Sequence, residues 1–195
     1  MPERPNPNPL EAYRLGLDEV ASKPDNIQIC LFRYWYMDLF SPPKGARILD
    51  LGGYVGATAT YYAANGHEVV AVEGSGEVCD EFKRNVAKRG VQGKATVVHS
   101  LIEDFSQPDS FDACCCTEIL NLVLDPLTIL KVAHQSLKDG GLVFATVPKD
   151  EQKSGRVLPP NELESLMKEA GFMAKVFVHQ APSWPDQVVA KGVKI

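Results

Sequence analysis

Two acidic side chains flank a glycine-rich stretch, a combination that could bind a nucleoside. Asp50 lies just before the segment GGYVG at residues 52–56, and Glu73 ends the next apolar run. Glycines permit a tight turn and let the backbone approach a ligand closely. An acid at the end of a strand can bridge the hydroxyl groups of a ribose. The residue types and their order therefore predict a nucleoside-binding turn with Glu73 as the ribose ligand.

Two strands and a helix are needed to position these residues. Residues 48–51 are a short apolar run, typical of a strand buried on both faces. Residues 57–64 are apolar and alanine-rich, which favours a helix that stops at Asn65-Gly66. Residues 69–72 form a second apolar run before Glu73. The order predicts one strand–helix–strand unit whose helix N-terminus faces the ligand.

The turn resembles the first motif of the class I S-adenosylmethionine-dependent methyltransferases, which is typically acid-x-Gly-x-Gly-x-Gly. Residues 50–56 read DLGGYVG, so Tyr54 replaces the middle glycine. Catechol-type O-methyltransferases also carry a tyrosine at the matching place. A dinucleotide-binding turn would be G-x-G-x-x-G, with a glycine where Tyr54 stands. The resemblance implies S-adenosylmethionine as the cofactor and S-adenosylhomocysteine as the product.

The segment SLIEDF at residues 100–105 is similar to the adenine-binding turn of this family. The resemblance implies that the backbone amide of Ile102 meets the ring nitrogen N1 and that Glu103 accepts from the exocyclic amine. Asp104 is the alternative for the acid role, and an acid that only caps a turn is a second alternative.

Two later segments extend the resemblance. Residues 112–118, DACCCTE, are similar to the fourth motif of the family, and residues 137–147 are similar to its Leu-Lys-Pro-Gly-Gly-plus-strand signature. Leu122 stands where some O-methyltransferases place a histidine, which counts against a base at that position. The implied cofactor ligands come from the glycine turn and from the ends of the second, third and fourth strands. They are Asp50, Gly52, Gly53, Tyr54, Gly56, Glu73, Gly74, Ile102, Glu103 and Thr117.

The acceptor side of the site has two candidate walls. His179 ends a predicted strand at residues 172–180, and histidine is suited to proton removal near neutral pH. Trp184 lies in a predicted loop at residues 181–186, where an aromatic ring could stack on a flat acceptor; packing roles for both side chains are the alternative. We predict His179 and Glu118 as catalytic residues and Tyr34, Asn121 and Trp184 as substrate-binding residues.

Length, charge and cysteine content restrict the class of protein. The chain has 195 residues, a net charge of −5 and five cysteines, three of them consecutive at residues 114–116. The length fits one domain, and the negative charge offers no basic field for nucleic acid or an anionic membrane. We predict a cytoplasmic protein without a disulfide framework, a signal peptide or a membrane span. Residues 117–121 offer one carboxylate, so we also predict no metal.

The resemblance implies an α/β fold: a doubly wound, Rossmann-like seven-stranded sheet in the order 3-2-1-4-5-7-6, with the last strand antiparallel. We predict one domain over residues 1–195. It would comprise a loose arm at 1–9, an N-terminal helical cap at 10–45 and the Rossmann-like core at 46–195.

Helix starts are predicted at three capping signals. Ser75 and Asp125 are candidate N-caps, and Asp125-Pro126 would open a helix with Leu137 on its apolar face. The segment NELE at residues 161–164 is a capping box that would open the last helix. Only a short loop, residues 148–160, precedes it, which predicts a comparatively open site.

The leading interpretation is a methyltransferase acting on oxygen or nitrogen of a small molecule. Two alternatives stay open from the sequence. One is a methyltransferase of a protein side chain, which an open site would allow. The other is a non-catalytic S-adenosylmethionine-binding regulatory module, motivated by the substituted glycine and the absent histidine.

Overall fold

The computed structural model describes residues 39–150, 155–181 and 184–195. The predicted loose arm, most of the helical cap and Tyr34 lie outside these ranges. No helix within them is long and apolar enough to cross a bilayer.

Strands and helices alternate along the described chain until a final pair of strands. In chain order the elements are β1 Arg47–Leu51, α1 Ala57–Ala64, β2 Glu68–Glu73, α2 Gly76–Lys88, β3 Ala95–His99, a 3-10 turn Ile102–Asp104, β4 Phe111–Thr117, α3 Pro126–Ser136, β5 Leu137–Pro148, α4 Pro160–Glu169, β6 Phe172–Ala181 and β7 Trp184–Lys194.

The seven strands form one sheet in the order β3-β2-β1-β4-β5-β7-β6. Neighbouring strands from β3 to β5 run parallel, and β7 is antiparallel to both β5 and β6. The predicted strand order and the antiparallel last strand are confirmed. All strands except β7 therefore end at the same edge of the sheet, which is the edge where ligands bind in open α/β folds.

Both faces of the sheet are buried, which explains the continuous apolar strands. Leu49 and Leu51 face one core cluster, while Ile48 packs into the cluster on the opposite face. On that second face, Phe40 stacks on Phe144 with ring centroids 5.1 Å apart. Asp50 alternates with Leu49 and Leu51, so it lies on the same face as Phe144.

The helix starts after β2 and before α3 form as the sequence predicts. The side chain of Ser75 accepts a hydrogen bond from the amide of Val78, and that of Asp125 accepts one from Leu127 at 3.1 Å. Pro126 occupies the first turn of α3, where its missing amide hydrogen costs nothing. These caps fix the ends of two helices that border the ligand edge.

The predicted capping box at residues 161–164 was wrong. Helix α4 begins at Pro160, its N-cap is Pro159, and no side chain caps it. Proline fixes φ near −65° and suits the first helical position, so Pro159-Pro160 sets the start before Asn161 can act as a cap.

Two predicted boundaries near β5 and β7 also differ. Leu137 has extended backbone angles and pairs with Phe111, so it belongs to β5 rather than to the apolar face of α3. The predicted loop at 181–186 is mostly strand, because Ala181 pairs with Trp184. A register shift between His179 and Ala181 allows the two strands to pair that far.

Candidate functional site

The glycine turn between β1 and α1 is folded back onto β2. The amides of Gly52 and Gly53 both donate to the carbonyl of Val72, at 3.0 and 3.1 Å. A Cβ atom on Gly53 would lie 2.5 Å from the Cβ of Ala71, so only glycine allows this approach. The turn ends at Gly56, which is the N-cap of α1.

Tyr54 occupies the middle of this turn with φ of 47°, in the left-handed region. Non-glycine residues rarely adopt this conformation, and it costs roughly 1–2 kcal/mol. The backbone at residue 54 therefore has the shape that the family's glycine provides, although the side chain differs. The substitution leaves the turn intact.

The carboxylate of Glu73 connects the glycine turn to the start of α2. It is only 1% exposed. One oxygen accepts from the amide of Tyr54 at 3.1 Å and the other from the amide of Ser75 at 2.9 Å. Glu73 therefore joins the glycine turn to α2, and its role as ribose ligand stays a prediction.

Asp50 is fully buried, and neither carboxylate oxygen has a hydrogen-bond partner among the described residues. Burial, and secondly the negative charge of Glu73, raise the pKa of Asp50 to about 7. A buried carboxylate without a partner is costly unless a ligand supplies a donor or a positive charge. Asp50 therefore marks a place for a polar or cationic group at the end of β1.

The predicted adenine turn forms a short 3-10 helix after β3. Its hydrogen bonds run from the amide of Asp104 to the carbonyl of Leu101, and from that of Phe105 to the carbonyl of Ile102. Ile102 is buried, while the side chains of Glu103 and Asp104 are both exposed. The structure therefore leaves the choice of adenine acid between Glu103 and Asp104 open.

Gly74 brings the end of β2 close to this turn. A Cβ atom on Gly74 would lie 3.4 Å from the side chain of Leu101, which is 57% exposed. The carbonyl of Gly74 is 3.2 Å from Nε2 of His99. Gly74 thus lies between Glu73 and the adenine turn, and its role as a cofactor ligand stays a prediction.

The end of β4 contributes Thr117 and Glu118. The hydroxyl of Thr117 is 3.4 Å from that of Thr58, in the first turn of α1. Glu118 has φ of 53°, and its amide donates to the carbonyl of Thr146 at 2.8 Å. A second non-glycine residue with positive φ at this edge is typical of functional sites, where surrounding contacts hold a strained backbone.

Asn121 is 5% exposed, and its Oδ1 has no hydrogen-bond partner among the described residues. Its carbonyl accepts from the amide of Arg156 at 2.8 Å. A Cβ atom on Gly155 would lie 2.6 Å from the same carbonyl oxygen. Residues 155–156 therefore pack against Asn121, and part of the segment expected to leave the site open covers the loop after β4.

The remaining predicted acceptor residues are farther from this group. His179 pairs with Gln187, which pairs with Pro148 at the end of β5. Three strand spacings of about 4.8 Å place His179 about 14 Å across the sheet from β4. Trp184 is the first residue of β7, and Tyr34 is outside the described ranges. A role for these three residues stays a prediction.

Two threonines near the site were not singled out from the sequence. Thr58 follows the glycine turn, and Thr146 interrupts the apolar strand β5 two residues before its end. Both are buried. A polar residue within a buried apolar run near a carboxyl strand end is the signal that could have identified Thr146. Among the described residues, no group of three or more His, Cys, Asp or Glu side chains could hold a metal.

Comparison with known families assigns this arrangement to a class. The family described as "Methyltransferase domain" matches residues 49–145, from the first strand through most of β5. With the strand order and the glycine turn, this match places the chain in the class I S-adenosylmethionine-dependent methyltransferase family.

Two curated relatives each match just over half of the chain. The ubiquinone biosynthesis O-methyltransferase of Xanthomonas axonopodis pv. citri (strain 306) is 33% identical over 114 residues, covering 57% of this chain and 47% of that protein. The tRNA 5-carboxymethoxyuridine methyltransferase of Escherichia coli K12 is 28% identical over 103 residues, covering 52% and 40%. The matched part spans about half the length of these relatives.

A solved structure shares the fold. It is an S-adenosylmethionine-dependent methyltransferase from Aquifex aeolicus, with a TM-score of 0.73 and 16% identity, covering 96% of this chain and 99% of that one. At this identity the likeness concerns the fold.

Proposed function

We propose that the chain binds S-adenosylmethionine and transfers its methyl group to an oxygen or nitrogen of a small-molecule acceptor. The observation that carries this proposal is Asp50, a fully buried carboxylate without a partner among the described residues, beside the glycine turn. Burying an unpaired carboxylate costs free energy, and the positive charge of an amine-bearing nucleoside bound at this site would offset that cost.

The residues present fit this cofactor. Glu73 would accept from the ribose hydroxyls, and the glycine turn with Tyr54 would pass beneath the ribose and the amino-acid part. Asp50 would neutralise positive charge on the amino-acid part, and the Ile102 turn would bind the adenine. When bound, the cofactor supplies a methyl group on a sulfonium, whose sulfur keeps the electron pair of the broken C–S bond as the methyl–acceptor bond forms.

The task left to the protein is to align donor and acceptor and to exclude water. Thr117 and Thr58 line the end of β4 on the α1 side, and Asn121 lies in the loop after it. A general base is needed only if the acceptor arrives protonated. Glu118, directly after Thr117, is closer to the cofactor ligands than His179 and is the preferred proton acceptor.

The small-molecule acceptor is favoured over nucleic acid and over a protein side chain. One relative is named as a ubiquinone biosynthesis enzyme and another as a tRNA enzyme, so relatives differ in acceptor. A net charge of −5 disfavours a polyanionic acceptor. Residues 155–156 pack on Asn121 and reduce the space for a protein surface.

The test is methyl transfer from labelled S-adenosylmethionine into cell extract divided by filtration into small molecules and macromolecules. The proposal expects label in the small-molecule fraction, with activity retained in excess EDTA. Label in protein or RNA would show that the acceptor is a macromolecule and not a small molecule. A loss of activity in EDTA that magnesium restores would refute metal independence. Binding of S-adenosylhomocysteine with no labelled product in either fraction would favour the non-catalytic module.

A further inference from the structure

Thr146 has a buried hydroxyl to which no described residue hydrogen-bonds. The residue is completely buried in β5, and its Oγ1 has no hydrogen-bond partner among the described residues. Buried hydroxyl groups are normally satisfied, and one without a partner destabilises the fold. A valine would fill the same position without that cost, and a bound ligand is a partner that would offset it.

The position of Thr146 points to the acceptor half of the site. Thr146 pairs in register with Thr117 at the end of β4. It lies two residues after Phe144 on the same face, so it is on the carboxyl-edge side of the Phe40–Phe144 stack. The Thr117 hydroxyl in turn is 3.4 Å from that of Thr58. Three hydroxyl-bearing residues thus lie near the carboxyl ends of β4 and β5.

We propose that the Thr146 hydroxyl binds a neutral polar group of the methyl acceptor, over the ends of β4 and β5. The inference rests on the proposed function and adds to it the chemical class of the group that is recognised. Asp50, Glu73 and Glu118 lie at the ends of β1, β2 and β4, and their carboxylates disfavour an anionic group. A hydroxyl can donate to a carbonyl oxygen or accept from another hydroxyl, so a neutral alcohol, phenol or carbonyl group fits.

A substitution pair separates this role from a structural one. Thr146→Val removes the hydroxyl while keeping the β-branched shape, and Thr146→Ser keeps the hydroxyl. Thr96→Val is the matched control, because Thr96 is an exposed threonine in β3, on the far side of β2. The measurements are S-adenosylhomocysteine affinity, thermal unfolding, and methyl transfer into the small-molecule filtrate at limiting filtrate concentration.

The expected pattern for Thr146→Val has three parts. Transfer at limiting filtrate falls about tenfold, as expected for one lost hydrogen bond. Affinity for S-adenosylhomocysteine is unchanged, and the unfolding midpoint rises because a buried polar atom without a partner is removed. Thr146→Ser retains transfer, and Thr96→Val behaves as wild type in binding and transfer.

Other results would overturn the inference. Wild-type transfer by Thr146→Val would show that the acceptor does not use the hydroxyl, and a lowered midpoint would show a structural role. A loss of S-adenosylhomocysteine affinity in Thr146→Val would show that the hydroxyl binds the cofactor and not the acceptor. If wild type labels nothing in the filtrate, the proposed function fails and this inference fails with it; if wild type labels the filtrate and Thr146→Val does so equally, only this inference fails.

Discussion

The carboxylate of Glu73 accepts a hydrogen bond from the backbone amide of Tyr54 at 3.1 Å, across the turn that joins β1 to α1. Its other oxygen accepts from Ser75 at the start of α2. One side chain therefore holds the two backbone segments between which the cofactor would bind. Glu73 has a structural role in addition to its proposed role as ribose ligand.

Glu73→Gln should weaken both the fold and cofactor binding. The amide nitrogen of glutamine cannot accept a hydrogen bond, so one backbone amide loses its partner, and each such charge-assisted bond is worth about 1.5–3 kcal/mol. We expect a lower unfolding midpoint and a lower S-adenosylhomocysteine affinity by calorimetry. Glu164→Gln, at an exposed position in α4, is the control that should change neither. If Glu73→Gln binds S-adenosylhomocysteine as tightly as wild type does, Glu73 is not the ribose ligand.

Asp50 should make stability depend on pH. Its pKa is raised from 3.8 to about 7, mainly by burial. Between these values the folded state binds a proton that the unfolded state has lost, so the unfolding free energy falls as pH rises through this window, by on the order of 4 kcal/mol in total. Denaturation of Asp50→Asn from pH 4 to pH 8 should lack this contribution. Equal pH dependence in wild type and Asp50→Asn would show that Asp50 stays ionised in the folded protein.

The acid that recognises adenine can be assigned by two single substitutions. Glu103 and Asp104 are both exposed after Ile102, so replacing either costs the fold little. We expect Glu103→Ala to weaken binding of S-adenosylhomocysteine by a smaller factor than Glu73→Gln does, and Asp104→Ala to leave it unchanged. If calorimetry shows weaker binding for Asp104→Ala and unchanged binding for Glu103→Ala, Asp104 is the acid that binds adenine. If neither substitution changes the affinity, the exocyclic amine binds water or backbone instead of a carboxylate.

Glu118 and His179 differ in their distance from the cofactor ligands. Glu118 directly follows Thr117, whereas His179 is three strands across the sheet from β4. Glu118→Gln should lower methyl transfer by about a hundredfold or more while S-adenosylhomocysteine still binds, because general-base effects are about 10²–10⁴. His179→Ala should have a smaller effect. A larger loss in His179→Ala would place the acceptor over β6 and β7.

The strand–helix–strand unit around Asp50 could be predicted because its signals are local. Apolar runs, glycines and the Ser75 cap each act within a few residues. The strand order was available only through the resemblance, since it depends on pairing between distant segments.

What the sequence did not predict depends on tertiary contacts. Thr146 became a candidate only when its hydroxyl was found buried without a partner in the described fold. The positive φ of Glu118 accompanies a hydrogen bond from its amide to β5, a contact between segments that are distant in sequence. At α4, the predicted capping box failed because Pro159-Pro160 sets the helix start one residue before Asn161, and no side chain caps the helix.

The central claim is that the turn at residues 52–56 binds S-adenosylmethionine rather than a dinucleotide. The most direct measurement is thermal unfolding with S-adenosylhomocysteine or NAD at a hundredfold excess over the dissociation constant of S-adenosylhomocysteine. A ligand bound only to the folded state stabilises it by about 2.7 kcal/mol at that excess. We expect S-adenosylhomocysteine to raise the midpoint and NAD to leave it unchanged. A shift with NAD and none with S-adenosylhomocysteine would contradict the account.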